Sequence, residues 1–167
     1  PDSCSLTCGT VNFGSDVFMN SWPFMVELYQ LTQERQIVPE FELFDLGQVH
    51  ALSRLIDKFG LPYGGRVHCD LVMGVPGAMN GTADALVAAV HDLPAATTSW
   101  SATGIGRSTL AVALASLSKG GHLRVGMEDV VTWARGVPVR DNAQLVERAA
   151  EAATLFQRPP MTPDDAR

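Results

Sequence analysis

An α/β protein built on a parallel sheet is the fold class this sequence predicts, on three observations. Apolar runs that read as strands alternate five times with stretches of helical periodicity, at a spacing of roughly 25 to 35 residues. Glycine and proline punctuate the turns between them. The polar residues able to do chemistry gather after the strands, not before them, and in parallel α/β folds that edge is where ligands bind. Two architectures fit: a doubly wound open sheet of flavodoxin type, or part of an eightfold barrel. A closed (β/α)8 barrel needs about 200 to 250 residues, so five units in a chain of 167 residues cannot close one.

The elements follow in order. Residues 5–10 read as the first strand and 11–16 as a loop. A helix is expected over 23–35, with Met25, Leu28 and Tyr29 at helical spacing and Pro23 in its first turn. Pro39 introduces a second strand over 40–45. Leu52, Leu55, Ile56 and Phe59 form the stripe of a second helix that Gly60 stops. Gly64-Gly65 lead into a third strand over 66–73, which exits into 74–77. A helix over 82–91 shows Ala83, Leu86, Val87 and Val90. The fourth strand covers 97–102, and a helix over 108–119 follows. The fifth strand is read over 122–129. The last helix covers 142–157, with Leu145, Ala149, Ala153 and Phe156 inward. The tail over 158–163 is a poor element former expected on the surface.

The fifth strand carries the unusual chemistry. Alternation puts Arg124, Gly126 and Glu128 on one face and Leu123, Val125 and Met127 on the other. Asp129 follows at the exit. A strand buried on both faces is normally apolar on both, so the charges call for an explanation. One reading is a structural Arg124–Glu128 ion pair. The other is an active site, with Glu128 as metal ligand or base, Asp129 as base and Arg124 as anion clamp. Thr10 and Asn12, Glu42 and Asp45, 74–77 and 104–107 all fall after strands too, and that agreement favours the site. Gly104-Ile105-Gly106-Arg107-Ser108 opens a helix, where glycines let backbone N–H groups approach a phosphate. It lacks the third glycine of a dinucleotide fingerprint, and a tight turn accounts for it equally well. His68 reads as a core histidine with a partner. His50 and His91 lie on helices as exposed residues, and His122 lies at a strand entrance, away from the chemistry.

The net charge of −6 argues against a nucleic-acid footprint and against a polybasic membrane surface. No apolar run reaches the 18 or more residues of a membrane span. The chain opens Pro1-Asp2-Ser3, with no signal peptide, and it lacks an initiator Met, so its first residue is not expected to be where its gene begins. Cys4, Cys8 and Cys69 are too few and too odd for a disulfide framework and read as buried thiols of a cytoplasmic protein.

With these residues in hand, the chain resembles the β-keto acid cleavage enzyme family, whose best-known member type is the 3-keto-5-aminohexanoate cleavage enzyme of lysine fermentation. The resemblance is carried by Ser5-Leu6 with Gly9-Thr10-Val11-Asn12-Phe13 and by Pro39-Glu40-Phe41-Glu42-Leu43-Phe44-Asp45. It continues through Gly104-Ile105-Gly106-Arg107, Gly121-His122-Leu123-Arg124-Val125-Gly126-Met127-Glu128-Asp129 and Asn142-Ala143-Gln144-Leu145-Val146. It closes on Thr162-Pro163 to Ala166-Arg167. Val130, where relatives often carry a polar residue, departs from the pattern.

The resemblance implies a zinc-dependent TIM (β/α)8 barrel, of which residues 1–167 are a single domain holding about five C-terminal βα units. The N-terminal strands are then absent from this chain. It implies Glu128 as a zinc ligand, while the family's His-x-His pair has no match here. It implies Asp129 as base, Arg124 stabilising oxyanions and Glu42 orienting Arg124 or shuttling the proton. Thr10 and Asn12 are expected at the substrate carboxylate, and Gly104, Gly106 and Arg107 at coenzyme A. The reaction implied is a Claisen and retro-Claisen exchange between a β-keto acid and acetyl-CoA, by a homo-oligomer when full length. The alternatives are an inactive barrel fragment and a flavodoxin-like module holding phosphate or magnesium.

Overall fold

The computed structural model describes residues 1–162 and 164. Pro163 and residues 165–167, which close the predicted tail and the last segment of the resemblance, lie outside the described residues.

The chain opens with β1 (Ser3–Thr7), a hairpin of β2 (Val11–Phe13) and β3 (Asp16–Phe18), and α1 (Trp22–Arg35). Then come β4 (Val38–Leu43), α2 (Leu46–Phe59), β5 (His68–Met73), α3 (Ala83–Asp92), β6 (Ser99–Gly104) and α4 (Thr109–Ser118). It ends with β7 (His122–Leu123), a second hairpin of β8 (Thr132–Ala134) and β9 (Val137–Pro138), and α5 (Asn142–Leu155). Side chains cap three of the helices. Asp45 accepts from the Gln48 N–H at 2.8 Å, Asp141 from the Gln144 N–H at 2.8 Å and Thr82 from the Ala85 N–H at 3.3 Å. Each satisfies an amide that a helix start leaves bare.

The main sheet has the order β1-β4-β5-β6-β7, and every pair is parallel. Strands that follow one another in this βα series are neighbours in space. A flavodoxin-type sheet reverses its order at a switch point; this one does not.

The two faces of the sheet differ. Registers align Leu6, Phe41 and Cys69 across three strands, and Leu71, Ala102 and Leu123 across another three. Leu6, Phe41, Cys69, Leu71 and Ala102 pack against the helices around Met25, Tyr29, Val49, Leu52, Leu55, Leu86 and Val112. The opposite face carries two polar rows: Ser5, Glu40, His68 and Ser99, then Thr7, Glu42, Asp70, Ser101 and His122. Cys8 and Cys69 are buried thiols on the apolar side, and Cys4 is half-buried.

Three expectations need correction. The fifth strand does not run over 122–129. It ends at Leu123, and the chain then turns, with the N–H groups of Asp129 and Val130 both donating to the Gly126 carbonyl. β7 is an edge strand, paired on one side only among the described residues, so no second ladder holds it extended. The 11–16 loop is part of an antiparallel hairpin, and a second hairpin over 132–138 carried too short a pattern to be read. Phe156 follows α5 and stays 37 % exposed, although Leu145 and Ala153 do point inward. Val130, the departure from the family pattern, packs with Val139 and Leu145 in a small core beneath the second hairpin.

Candidate active site

Arg124 follows β7 directly, where the edge strand gives way to a turn. Its backbone N–H still reaches the Ala102 carbonyl at 3.4 Å, which anchors it beside β6. From there the guanidinium spans the polar rows. Nη1 donates to Glu42 Oε1 at 2.8 Å and lies 3.5 Å from Asp70 Oδ2. Nη2 donates to Glu128 Oε1 and, at 3.2 Å, to Asp129 Oδ1. One cation thus meets four carboxylates contributed by three separate stretches of chain.

Two of those carboxylates, Glu42 and Asp70, are in turn held by hydroxyls. Thr7 Oγ1 donates to Glu42 Oε2 at 3.1 Å. Ser101 and Thr103 donate to the two oxygens of Asp70, at 2.6 and 2.7 Å, and Asp70 is fully buried. His68 reaches Ser99 at 2.8 Å and Ser101 at 3.2 Å. A buried charge is tolerated only when paired and hydrogen-bonded, and this network does both.

The environment shifts the ionisations. For Arg124, burial opposes the charge, but Asp129, Asp70 and Glu42 outweigh it and raise the pKa, so it stays a cation. Burial pushes the Asp129 carboxyl up; Arg124 pulls it down and Glu128 pushes it up again, leaving it raised. Burial and then Asp70 raise Glu40, against a lowering pull from Arg124. Burial lowers His68, partly offset by Asp70. Asp129 Oδ2 is buried and has no hydrogen-bond partner among the described residues.

A cavity of about 380 Å³ opens over this cluster. Glu42, Arg124, Glu128 and Asp129 line its charged side. Phe13, Phe18, Phe44 and Val75 line the other, with Phe13 edge-on to Phe44 at 6.0 Å. An apolar wall facing a fixed cation and a raised carboxyl suits a small carboxylic acid with a carbon chain.

The sequence-predicted residues divide. Arg124, Glu42, Glu128 and Asp129 are brought together. Thr10 and Asn12 do not line this cavity: Thr10 Oγ1 accepts from the Asn20 N–H at 2.9 Å, and Asn12 lies in β2, whose backbone backs onto Gly77. Gly104 is required by close packing, because a Cβ there would come within 2.6 Å of the Ser108 carbonyl. Gly106 has φ +58° and donates its N–H to the Asp129 carbonyl at 2.7 Å, so the glycine loop fixes the backbone of Asp129. Arg107 lines a second, larger cavity. Asp70, Thr7, Ser101 and Thr103 were not anticipated. Asp70 left a signal, an acid inside the apolar run Cys69 to Met73.

The donors present can be weighed for zinc. Catalytic zinc takes three protein ligands, drawn from histidine, cysteine and carboxylates. Glu128 is 75 % exposed at the cavity and suits one carboxylate ligand, although Arg124 holds one of its oxygens. No histidine lines that cavity among the described residues. Carboxylate oxygens of Glu40, Glu42 and Asp70 lie within 4.8 Å of one another, an all-oxygen set that favours hard cations. Arg124 already supplies the counter-charge to two of those three.

A parallel βα sheet with an arginine–carboxylate cluster at the carboxyl ends of its strands defines an α/β protein with a small-molecule site at that edge. The family model described as beta-keto acid cleavage enzyme (BKACE) matches residues 1–167, and the chain belongs to that family. It is 34 % identical over 168 residues to the 3-keto-5-aminohexanoate cleavage enzyme of Acetoanaerobium sticklandii, covering 100 % of this chain and 60 % of that protein. It is 34 % identical over 171 residues to the 3-oxoadipate:acetyl-CoA acetyltransferase of Cupriavidus necator, covering 100 % of this chain and 59 % of that protein. The chain therefore spans about 60 % of the length of these curated relatives. In structure it is similar to the binary complex of ObcA with oxaloacetate, with a TM-score of 0.67 at 20 % identity over 96 % of this chain and 46 % of that one.

Proposed function

We propose that this chain is the later part of a zinc-dependent β-keto acid cleavage enzyme, residues 1–167 forming about five C-terminal βα units of a (β/α)8 barrel. The sequential parallel sheet and its polar face support the barrel reading: in a barrel that face is the interior, and missing strands would pair with β1 and β7. In the proposed reaction a β-keto acid and acetyl-CoA exchange fragments, yielding acetoacetate and a new acyl-CoA. The enzyme is cytoplasmic and assembles as a homo-oligomer when full length.

The observation that carries this reading is the Arg124 cluster beneath the 380 Å³ cavity. Asp129 is the base. Its carboxyl is raised, one oxygen is oriented by Arg124 and the other is buried and unpartnered, poised to take the proton between two carbonyls. Arg124 stabilises negative charge that develops on the substrate's oxygens, and Glu42 holds Arg124 in place. Glu128 supplies one zinc ligand, and the remaining ligands come from beyond these residues. Zinc would act as a Lewis acid that polarises the keto oxygen. Thr10 and Asn12 are offered as contacts to the substrate carboxylate. For them to act, the first hairpin would have to bring them to the cavity. Gly104, Gly106 and Arg107 are offered at coenzyme A.

The test uses the full-length protein. Asp129→Asn should bind the β-keto acid but lose about 10²- to 10⁴-fold in turnover. Exchange of the C2 proton with deuterated water, measured without acetyl-CoA, decides the role. If the variant exchanges as fast as wild type, Asp129 is not the base and Glu42 takes its place. Glu128→Gln should lower zinc content measured by elemental analysis, and unchanged occupancy would remove Glu128 from the ligand set.

A further inference from the structure

We infer that the β-keto acid taken at the Arg124 cluster carries an uncharged hydrocarbon substituent, which lies against the apolar wall of the 380 Å³ cavity. This deepens the reading above and rests on it.

The cavity is divided by chemistry. Every charged side chain that lines it among the described residues belongs to the Arg124 cluster: Arg124 itself, and Glu42, Glu128 and Asp129, each with an oxygen on the guanidinium. The opposite wall is drawn from four stretches of chain. The first hairpin brings Phe13 and Phe18, the exit of β4 brings Phe44, the turn after β5 brings Val75 and the exit of β6 brings Ile105. None of these side chains can ionise or hydrogen-bond. Asp16, the acid of the hairpin, does not line this cavity and accepts from the Val17 N–H at 2.7 Å.

The rings of the wall are left bare. Phe13 and Phe18 stay 47 % and 44 % exposed, although Phe13 meets Phe18 edge-on at 6.4 Å and Phe44 at 6.0 Å. Uncovered apolar surface rimmed by polar groups marks a ligand groove. A carbon chain laid across these rings removes apolar surface from water on both sides.

The wall is also fixed before a ligand arrives. The Gly14 N–H donates to the Pro76 carbonyl at 3.0 Å, and the Met79 N–H to the Phe44 carbonyl at 2.9 Å. Val11 seats the hairpin on Phe44, Val72 and Val75. A Cβ on Gly77 would come within 2.7 Å of the Asn12 Cβ, so glycine there lets the hairpin close on the 74–77 turn. That turn thereby docks the aromatic hairpin, and a wall held in advance lowers the ordering cost of binding.

A substrate whose reacting carbons sit at Arg124 and Asp129 points its substituent across the cavity at this wall. A terminal carboxylate would find no second cation there, because Arg124 is the only one lining the cavity among the described residues. A terminal ammonium would find its acids on the far side, already bound to Arg124. Either charge would lose its water without gaining a partner.

The full-length protein is assayed with three six-carbon acids: 3-oxohexanoate, 3-oxoadipate and 5-amino-3-oxohexanoate. The kcat/KM for 3-oxohexanoate should exceed that for each charged acid by at least about 100-fold. A smaller preference, or a preference for a charged acid, overturns the inference. Phe18 is half-exposed, so Phe18→Arg tests the wall without opening the core. It should raise kcat/KM for 3-oxoadipate relative to 3-oxohexanoate by at least about tenfold, and an unchanged ratio removes the substituent from this wall. If no keto acid is turned over at all, the proposed reaction fails, and calorimetry with hexanoate, adipate and 6-aminohexanoate still decides the wall. Hexanoate should bind tightest, and Phe18→Arg should erase that preference. Equal binding of the three, or no binding of hexanoate, overturns the apolar assignment.

Discussion

Along β5, Cys69, Leu71 and Met73 turn toward the helices, while His68 and Asp70 turn the other way. The same six residues therefore serve two regions with opposite chemistry. The helix side is close-packed hydrocarbon, and its members Phe41, Leu43, Leu71 and Met73 are fully buried. The far side is a hydrogen-bonded lattice of hydroxyls, carboxylates, His68 and Arg124. The contrast teaches that stability and chemistry are separated by the pleat. A substitution on one face should register mainly in folding, and one on the other mainly in turnover.

The largest expected effect is on the apolar face. Phe41→Ala in the full-length protein should cost about 3–5 kcal/mol of stability, because a filled core site collapses poorly. Urea denaturation gives the number, and a loss under about 1 kcal/mol would mean the two faces are not divided as described. Asp70→Asn sharpens the other side. It keeps the shape but removes the buried charge that helps to hold Arg124. Hydrogen bonds to charged groups are worth about 1.5–3 kcal/mol, so kcat should fall roughly 10- to 100-fold with little change in KM for the keto acid. A rise in KM with kcat intact would make Asp70 a binding residue instead of a positioning one.

The smallest effect is in the pH dependence of stability. Burial holds His68 below its ordinary pKa of 6.5, with Asp70 pushing the other way and His122 lowering it further. The unfolded chain therefore takes the proton first. Stability from the neutral ring is full above 6.5 and is lost as pH falls below it. Between about pH 7.5 and 5.5 the loss should be roughly 1 kcal/mol at most. His68→Gln should flatten that slope in urea midpoints taken at the two pH values. An identical slope would place the titrating group elsewhere.

Much of the helix side was readable in advance, because it obeys local rules. The stripe Leu52, Leu55 with Ile56 and Phe59, and the Thr82 and Gly60 boundaries, follow from a period of 3.6 and from termini needing caps. The polar side was readable in part. Arg124, Glu128 and Asp129 stood out as charges where grease was expected. Asp70 did too, yet its partners Ser101 and Thr103 lie 31 and 33 residues away, and small hydroxyls in a strand carry no mark of what they bind.

By itself, then, the sequence determined the βα alternation, the edge at which charged groups collect and the family to which its motifs belong. These follow from periodicity, turn chemistry and residue type, which act over a few positions. Only the tertiary structure decided the strand order, the meeting of Arg124 with Glu42 across 82 residues and the halt of β7 after two residues. A strand needs a partner to stay extended, and a guanidinium needs several acids converging in space. Neither condition is local, so neither could be read from neighbours along the chain.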